Sequence, residues 1–477
     1  VIERYFRVSE RGSTIPRELR GGLVTFMAMA YIIVLNPLIL GSVTPTDPSA
    51  KADALGGILP VAQVAAVTAL VAGVMTILFG VIANYPFAIA TGLGINTLLA
   101  VTIAPMMTWP EAMGLVVIDG IIIVILAATG FRTAVFNAVP TELKTAMAVG
   151  IGAFIALIGL VDAGFVRRLP DAANTTVPVG LGIDGSIASW PTFVFVLGLV
   201  IVGVLVARGV RAGILIGVVV NTVIAIIVEA IAQVGPAGQD NPKGWSLAVP
   251  TLPDQVVGLP DLSLVGQVSF GAFARLDIIT VVLLIFTLVL ANFFDAMGTL
   301  TGLGKQAGLT DENDKLPDVG KALVVEGAGA VAGGAGSASS NTLFVESAAG
   351  IAEGARTGLA NVLTGLLFLL AMFFTPLYAI VPVEAAAPAL VVVGALMFRQ
   401  VTSITLDDLQ TAIPVFLTVT VMPFTYSIAN GIGAGFISYV ALAAATGRAR
   451  QVHPLMWVVA VLFVGYFGVG PLRDLLQ

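Results

Sequence analysis

The chain has 477 residues, 58% of them apolar and 10% charged, a net charge of −6 and a mean hydropathy of +1.03. Length alone suggests about three soluble domains, but so apolar a composition excludes them and points to lipid as the solvent. With 22 Lys and Arg against 28 Asp and Glu, no basic patch is dense enough to hold a phosphate backbone, which excludes nucleic acid as a partner. The absence of cysteine and the single His453 exclude disulfides and a Cys/His metal site. The bilayer is the partner that composition implies, and no cofactor is expected.

A helix that crosses the hydrocarbon core needs about 20 mostly apolar residues. Such windows run along the chain at 22–40, 61–82, 87–103, 112–129, 142–161, 191–207 and 212–232. After a polar stretch they resume at 278–303, 320–336, 341–353, 358–380, 386–398, 408–424, 427–445 and 454–470. The windows 341–353 and 386–398 are too short to span alone as regular helices. Lys and Arg mark the cytoplasmic side, and the arginines at 4, 7, 11, 17 and 20 place residues 1–21 there. Threading fourteen spans from that end puts most other cations inside, Arg132 included, and leaves Lys51, Arg167, Arg168, Lys243 and Arg275 outside with the loop 233–277. The reading is then an all-α polytopic membrane protein with seven spans in 22–232, seven in 278–447, and a segment 448–477 in which 454–470 forms an interfacial helix.

Seven spans per set force the second set to be inverted if the two are repeats. One trace of duplication is direct: PFAIATGLGI at 86–95 aligns with TLFVESAAGI at 342–351, Thr91 over Ser347 and Gly94 over Gly350. Both segments have the composition of a broken span, an extended stretch followed by small residues and a short helix. Irregular backbone at membrane depth is tolerated only where protein buries it or a cavity adjoins it, so spans 3 and 10 are the expected binding site. Close helix packing on small residues is the competing reading; it leaves the carboxylate of the second segment unexplained.

That carboxylate is Glu346. An acid at the centre of a span costs about 2.5–3.5 kcal/mol on insertion scales and faces a cavity by default. Asp295 is the second such acid, preceded by Phe293 and Phe294, which can stack on a flat ring. Asp119 is mid-window without an adjacent glycine break, so a hydrogen bond between helices accounts for it equally well. Glu326, early in the ninth window, is a candidate for the proton path. Asn96 follows the first break and either reads the edge of a heterocycle or caps the short helix. Neither HExxH nor GxSxG occurs, so membrane enzymology has no nucleophile or metal to work with.

At these residues the chain resembles the nucleobase–cation symporters of the xanthine/uracil permease superfamily, in the branch carrying adenine, guanine and hypoxanthine. The matching stretches are TFMAMAYIIVLNP at 25–37, PFAIATGLGIN at 86–96, FFDAMGTLTGLGKQAGL at 293–309, FVESAAGIAEGARTGL at 344–359 and MPFTYSIANGIGAGFISY at 422–439. Thr91 departs from that branch, which usually has proline there. The resemblance implies two inverted seven-span repeats, a core of spans 1–4 and 8–11, a gate of spans 5–7 and 12–14, and pairing as a homodimer. It implies a purine bound between spans 3, 8 and 10 by Asp295, Glu346, Asn96, Thr91, Phe344, Ser347 and Phe294. Proton coupling is expected through Asp295, Glu346 and Glu326, with sodium as the other candidate ion, in a bacterial inner membrane. An anion transporter of the same fold, or a uracil/xanthine-type transporter, is the alternative; two acids at the site argue against the anion.

Overall fold

A computed structural model describes residues 2–42, 51–168, 179–183, 185–238, 240–246, 248–253, 255–310 and 316–476. The chain is mostly helical, and among the described residues nine helices are long and apolar enough to cross a membrane. In the first half the α-helices of six or more residues are α1 (Ile15–Met29), α2 (Ile32–Leu40), α3 (Val61–Ala83), α4 (Leu93–Leu98), α5 (Trp109–Ala128), α6 (Phe131–Ala138), α7 (Thr141–Asp162), α8 (Trp190–Ala207) and α9 (Gly213–Ala232). In the second half they are α10 (Ile278–Gln306), α11 (Val319–Ala335), α12 (Ser347–Ala352), α13 (Leu359–Ala371), α14 (Val383–Phe398), α15 (Leu409–Phe424), α16 (Ile428–Ala445) and α17 (Pro454–Leu476). Helix starts follow their caps: Thr108 and Glu111 form a reciprocal capping box on α5, and Ser189, Asp408 and Ser427 cap α8, α15 and α16.

One expectation changes. The window 386–398 belongs to an apolar segment, Val383–Ser403, long enough to span. Glu384 hid its beginning, yet that carboxylate is buried and accepts the Ser246 backbone N–H at 3.1 Å. Pro388 lies inside the helix and cannot donate to the Glu384 carbonyl, which accepts instead from Asn221 Nδ2 at 3.5 Å. The segment 454–470 belongs to the 23-residue helix α17, which packs on α16 and α6 and buries Met456, Ala460 and Phe463.

Helix packing falls into two dense sets. In one, α11 lies on α5 and α3, α13 lies on α3 and α1, α12 lies on α1, and α10 lies on α5. In the other, α14 lies on α7 and α8, α9 lies on α8, and α15 lies on α16 and α7. Glycine permits the closest approach of the first set, because a Cβ on Gly358 would overlap the Gly80 carbonyl oxygen.

The broken spans meet. Strands β1 (Ile89–Thr91) and β2 (Asn341–Leu343) pair antiparallel, with Ala90 opposite Thr342, and each leads towards a six-residue half-helix, α4 or α12. Two further bonds flank the ladder, Phe344 N–H to the Ala88 carbonyl at 3.0 Å and Gly92 N–H to the Ser340 carbonyl at 2.9 Å. The half-helices begin out of step with the sequence alignment: Gly92 and Glu346 are the N-cap residues, whereas the alignment sets Glu346 under Ala90. Side chains satisfy the remaining irregular backbone, as hydrocarbon requires. Thr76 Oγ1 donates to the Ile89 carbonyl at 2.8 Å and accepts its N–H at 3.0 Å, while Asn361 Nδ2 donates to the carbonyls of Tyr85 and Phe87.

Candidate functional site

A cavity of about 70 Å³ opens where the two breaks face the second helix set. Its polar wall carries Asp295 from α10, Thr342 and Glu346 from the second break, and Tyr31 from the first span. Its opposite wall is aliphatic: Ile151 and Ile155 from α7, Val393 and Met397 from α14, and Ile428 from α16. The Tyr31 hydroxyl donates to Glu346 Oε1, and Tyr31 is 1% exposed. A buried tyrosine needs such a partner for its O–H. Tyr31 reaches it because the first span breaks at Ala30–Tyr31, between α1 and α2.

Of the residues singled out from sequence, Asp295, Glu346 and Phe344 line this cavity. Thr91, Asn96 and Ser347 are fully buried and do not line it. Asn96 Nδ2 donates to Asn36 Oδ1 at 2.7 Å and to Thr91 Oγ1, and Asn36 in turn donates to Thr68 Oγ1 at 2.7 Å and to the Ala338 carbonyl at 3.1 Å. These residues brace the first break from behind. Ser347 Oγ accepts the Ala88 N–H at 2.9 Å and ties α12 to the first break. The Phe294 side chain lies outside the described residues. Glu326 does not line the cavity either: it is fully buried and pairs with Arg132, Nη1 to Oε2, at 2.6 Å.

Three residues were not foreseen at or behind the site. Tyr31 stood inside a matching stretch with nothing local to mark the break before it. Arg132 reads in sequence as a flanking cation, but it is fully buried, donates to the Asn292 and Phe293 carbonyls at 3.1 Å, and lies over the Phe293 ring at 5.5 Å. Asn292 Nδ2 bonds Asp119 Oδ2 at 3.1 Å and Ser340 Oγ at 2.9 Å, which gives Asp119 the interhelical hydrogen bond weighed above. Among the described residues, no group of His, Cys, Asp or Glu could hold a metal ion.

A carboxylate held by a phenol, a second carboxyl and an aliphatic wall can bind a flat, neutral molecule that presents N–H donors along one edge. The structure is similar to the transmembrane domain of the cyanobacterial bicarbonate transporter BicA (TM-score 0.59, 14% identity, 88% of this chain and 96% of that one). It is also similar to murine Slc26a9, an anion transporter in the inward-facing state (TM-score 0.58, 12% identity, 90% and 68%); identities this low speak for the fold alone. In sequence, the chain is 37% identical over 474 residues to the guanine/hypoxanthine permease PbuG of Bacillus subtilis, covering 98% of this chain and 99% of that one. It is 34% identical to the adenine permease AdeQ of Escherichia coli, over 97% of this chain and 95% of that one. The xanthine/uracil permease model, described as "Permease family", matches residues 17–433. The chain therefore belongs to the nucleobase permease family, and it is a multi-pass membrane transporter and not an enzyme.

Proposed function

We propose that the protein imports purine nucleobases, with hypoxanthine, guanine and adenine as candidates, by proton symport with alternating access. The observation that carries this reading is the two-sided cavity, with Glu346, Asp295 and Tyr31 on one wall and aliphatic side chains on the other. In this reading the Glu346 carboxylate accepts a ring N–H, Tyr31 keeps that carboxylate oriented, and Asp295 accepts or donates according to its proton. The aliphatic wall and Phe344 cover the ring faces and exclude water. Purine permeases among the relatives support the substrate class.

The polar wall belongs to one helix set and the apolar wall to the other, which supports a core (α1–α5 and α10–α13) moving against a gate (α7–α9 and α14–α16) around the bound base. Fourteen spans in two inverted repeats suit the antiparallel meeting of the breaks. Five ion pairs support the threading, because each of them joins residues that it assigns to one side. Lys51–Asp162 and Arg275–Glu111 lie at the outer end; Arg20–Glu353, Arg211–Glu353 and Arg448–Asp408 lie at the inner end with the amino terminus. The homodimer and the bacterial inner membrane belong to the same proposal. Labelled hypoxanthine uptake into proteoliposomes, competed by purines and pyrimidines with and without sodium, tests the reading. Purines alone should compete, and sodium should be dispensable. Unchanged accumulation in both Glu346→Gln and Asp295→Asn would sink the assigned roles.

A further inference from the structure

We propose that Asp119 is a proton-binding site separate from the acids that line the cavity, and that its proton is the one moved with substrate. This rests on the symport reading above. Asp119, Glu326 and Arg132 are all fully buried, on α5, α11 and α6. Ionised together they carry two negative charges and one positive, and a buried net charge is costly. One proton makes the cluster neutral. Arg132 already holds Glu326 at 2.6 Å and guanidinium does not deprotonate in proteins, so the proton falls to Asp119, whose hydrogen-bond partner is the uncharged Asn292.

Unsatisfied atoms point to the same place. Three acceptors, Asp119 Oδ1, Asn292 Oδ1 and Glu326 Oε1, and one donor, Arg132 Nε, are buried there with no hydrogen-bond partner. With Asp119 ionised, acceptors outnumber donors among these atoms; a protonated Asp119 supplies a second donor. The elements packed against Asp119 bring Glu326 from α11, Arg132 from α6, and Asn292 and Asp295 from α10.

The site is also linked to the cavity. Asn292 precedes Asp295 by about one helical turn on α10. The same Asn292 amide that bonds Asp119 bonds Ser340 Oγ, and the Ser340 carbonyl accepts the N–H of Gly92, a lining residue. Gain or loss of the Asp119 proton changes what that amide can bond, and both broken-span walls sense it.

The test separates exchange from accumulation in proteoliposomes containing the full chain. A one-unit inward proton gradient supports about tenfold accumulation for one coupled proton. Asp119→Asn, close in shape and unable to titrate, should keep hypoxanthine counterflow near the wild-type rate while its gradient-driven accumulation ratio falls to about one. Asp119→Glu should restore accumulation with a displaced pH dependence, and Asp119→Ser provides a second acid-free variant if Asn is not tolerated. Wild-type accumulation in an acid-free variant would overturn the proposal, as would loss of counterflow together with accumulation in a folded one. Failure of the wild type to accumulate any purine would instead overturn the symport reading, and the inference with it.

Discussion

Tyr31→Phe isolates one hydrogen bond at the centre of the site. Phenylalanine keeps the ring in its buried position and removes only the hydroxyl that donates to Glu346 Oε1. A hydrogen bond to a charged group contributes about 1.5–3 kcal/mol. Because the carboxylate would then have to be ordered by the substrate itself, most of that loss should fall on binding rather than on folding. The lower end of the range corresponds to about a tenfold rise in Kd for hypoxanthine, with little change in melting temperature. Equilibrium binding of labelled hypoxanthine to purified protein reads the first quantity, and a thermal melt in detergent reads the second. A Kd within about twofold of wild type would refute the reasoning, since it would mean that Glu346 is held elsewhere or does not touch the base.

Arg132→Met should lower the melting temperature strongly, because breaking a buried ion pair costs about 3–5 kcal/mol, and Arg132→Met with Glu326→Leu should recover most of it; equal melts for single and double variants would contradict the pair's role. Gly358→Ala should destabilise by about 1–3 kcal/mol or more by forcing α13 from α3, and a normal melting temperature would show that the contact yields. Backbone N–H donation from Gln410 and then the Arg448 guanidinium hold the Asp408 carboxyl below its usual range. Its folded-state pKa is depressed, so its stabilisation is present above the unfolded value of about 3.9 and is lost as pH falls through the folded value. The melting difference between wild type and Asp408→Asn should accordingly be present at neutral pH and vanish in acid.

The helices long and apolar enough to cross a membrane, nine among the described residues, were legible because apolar windows of that length are a strong signal, and both breaks were legible because small residues and glycine interrupt such windows. Glu346 and Asp295 stood out because charge is scarce at membrane depth. The face on which a side chain lies was not legible. Thr91 lies in the first break and Asn96 in the half-helix that follows it, yet neither lines the cavity: Asn96 donates to Thr91 Oγ1 and to Asn36 Oδ1 behind it. Tyr31 escaped notice because no glycine or proline sits at the Ala30–Tyr31 break; its partner lies far along the chain at Glu346. Arg132 illustrates the limit of sidedness: a cation beside a span end reads as a topology marker until a buried carboxylate distant in sequence, Glu326, claims it. Glu384 misled in the opposite direction, shortening an apolar window although its carboxylate is buried against the Ser246 backbone.

Gradient-driven uptake is the most direct test of the central claim. Purified protein in liposomes, given an inward proton gradient and labelled hypoxanthine, should accumulate the base above its external concentration, and a protonophore should collapse that accumulation. Mere equilibration, indifferent to the gradient, or no purine uptake at all, would contradict it.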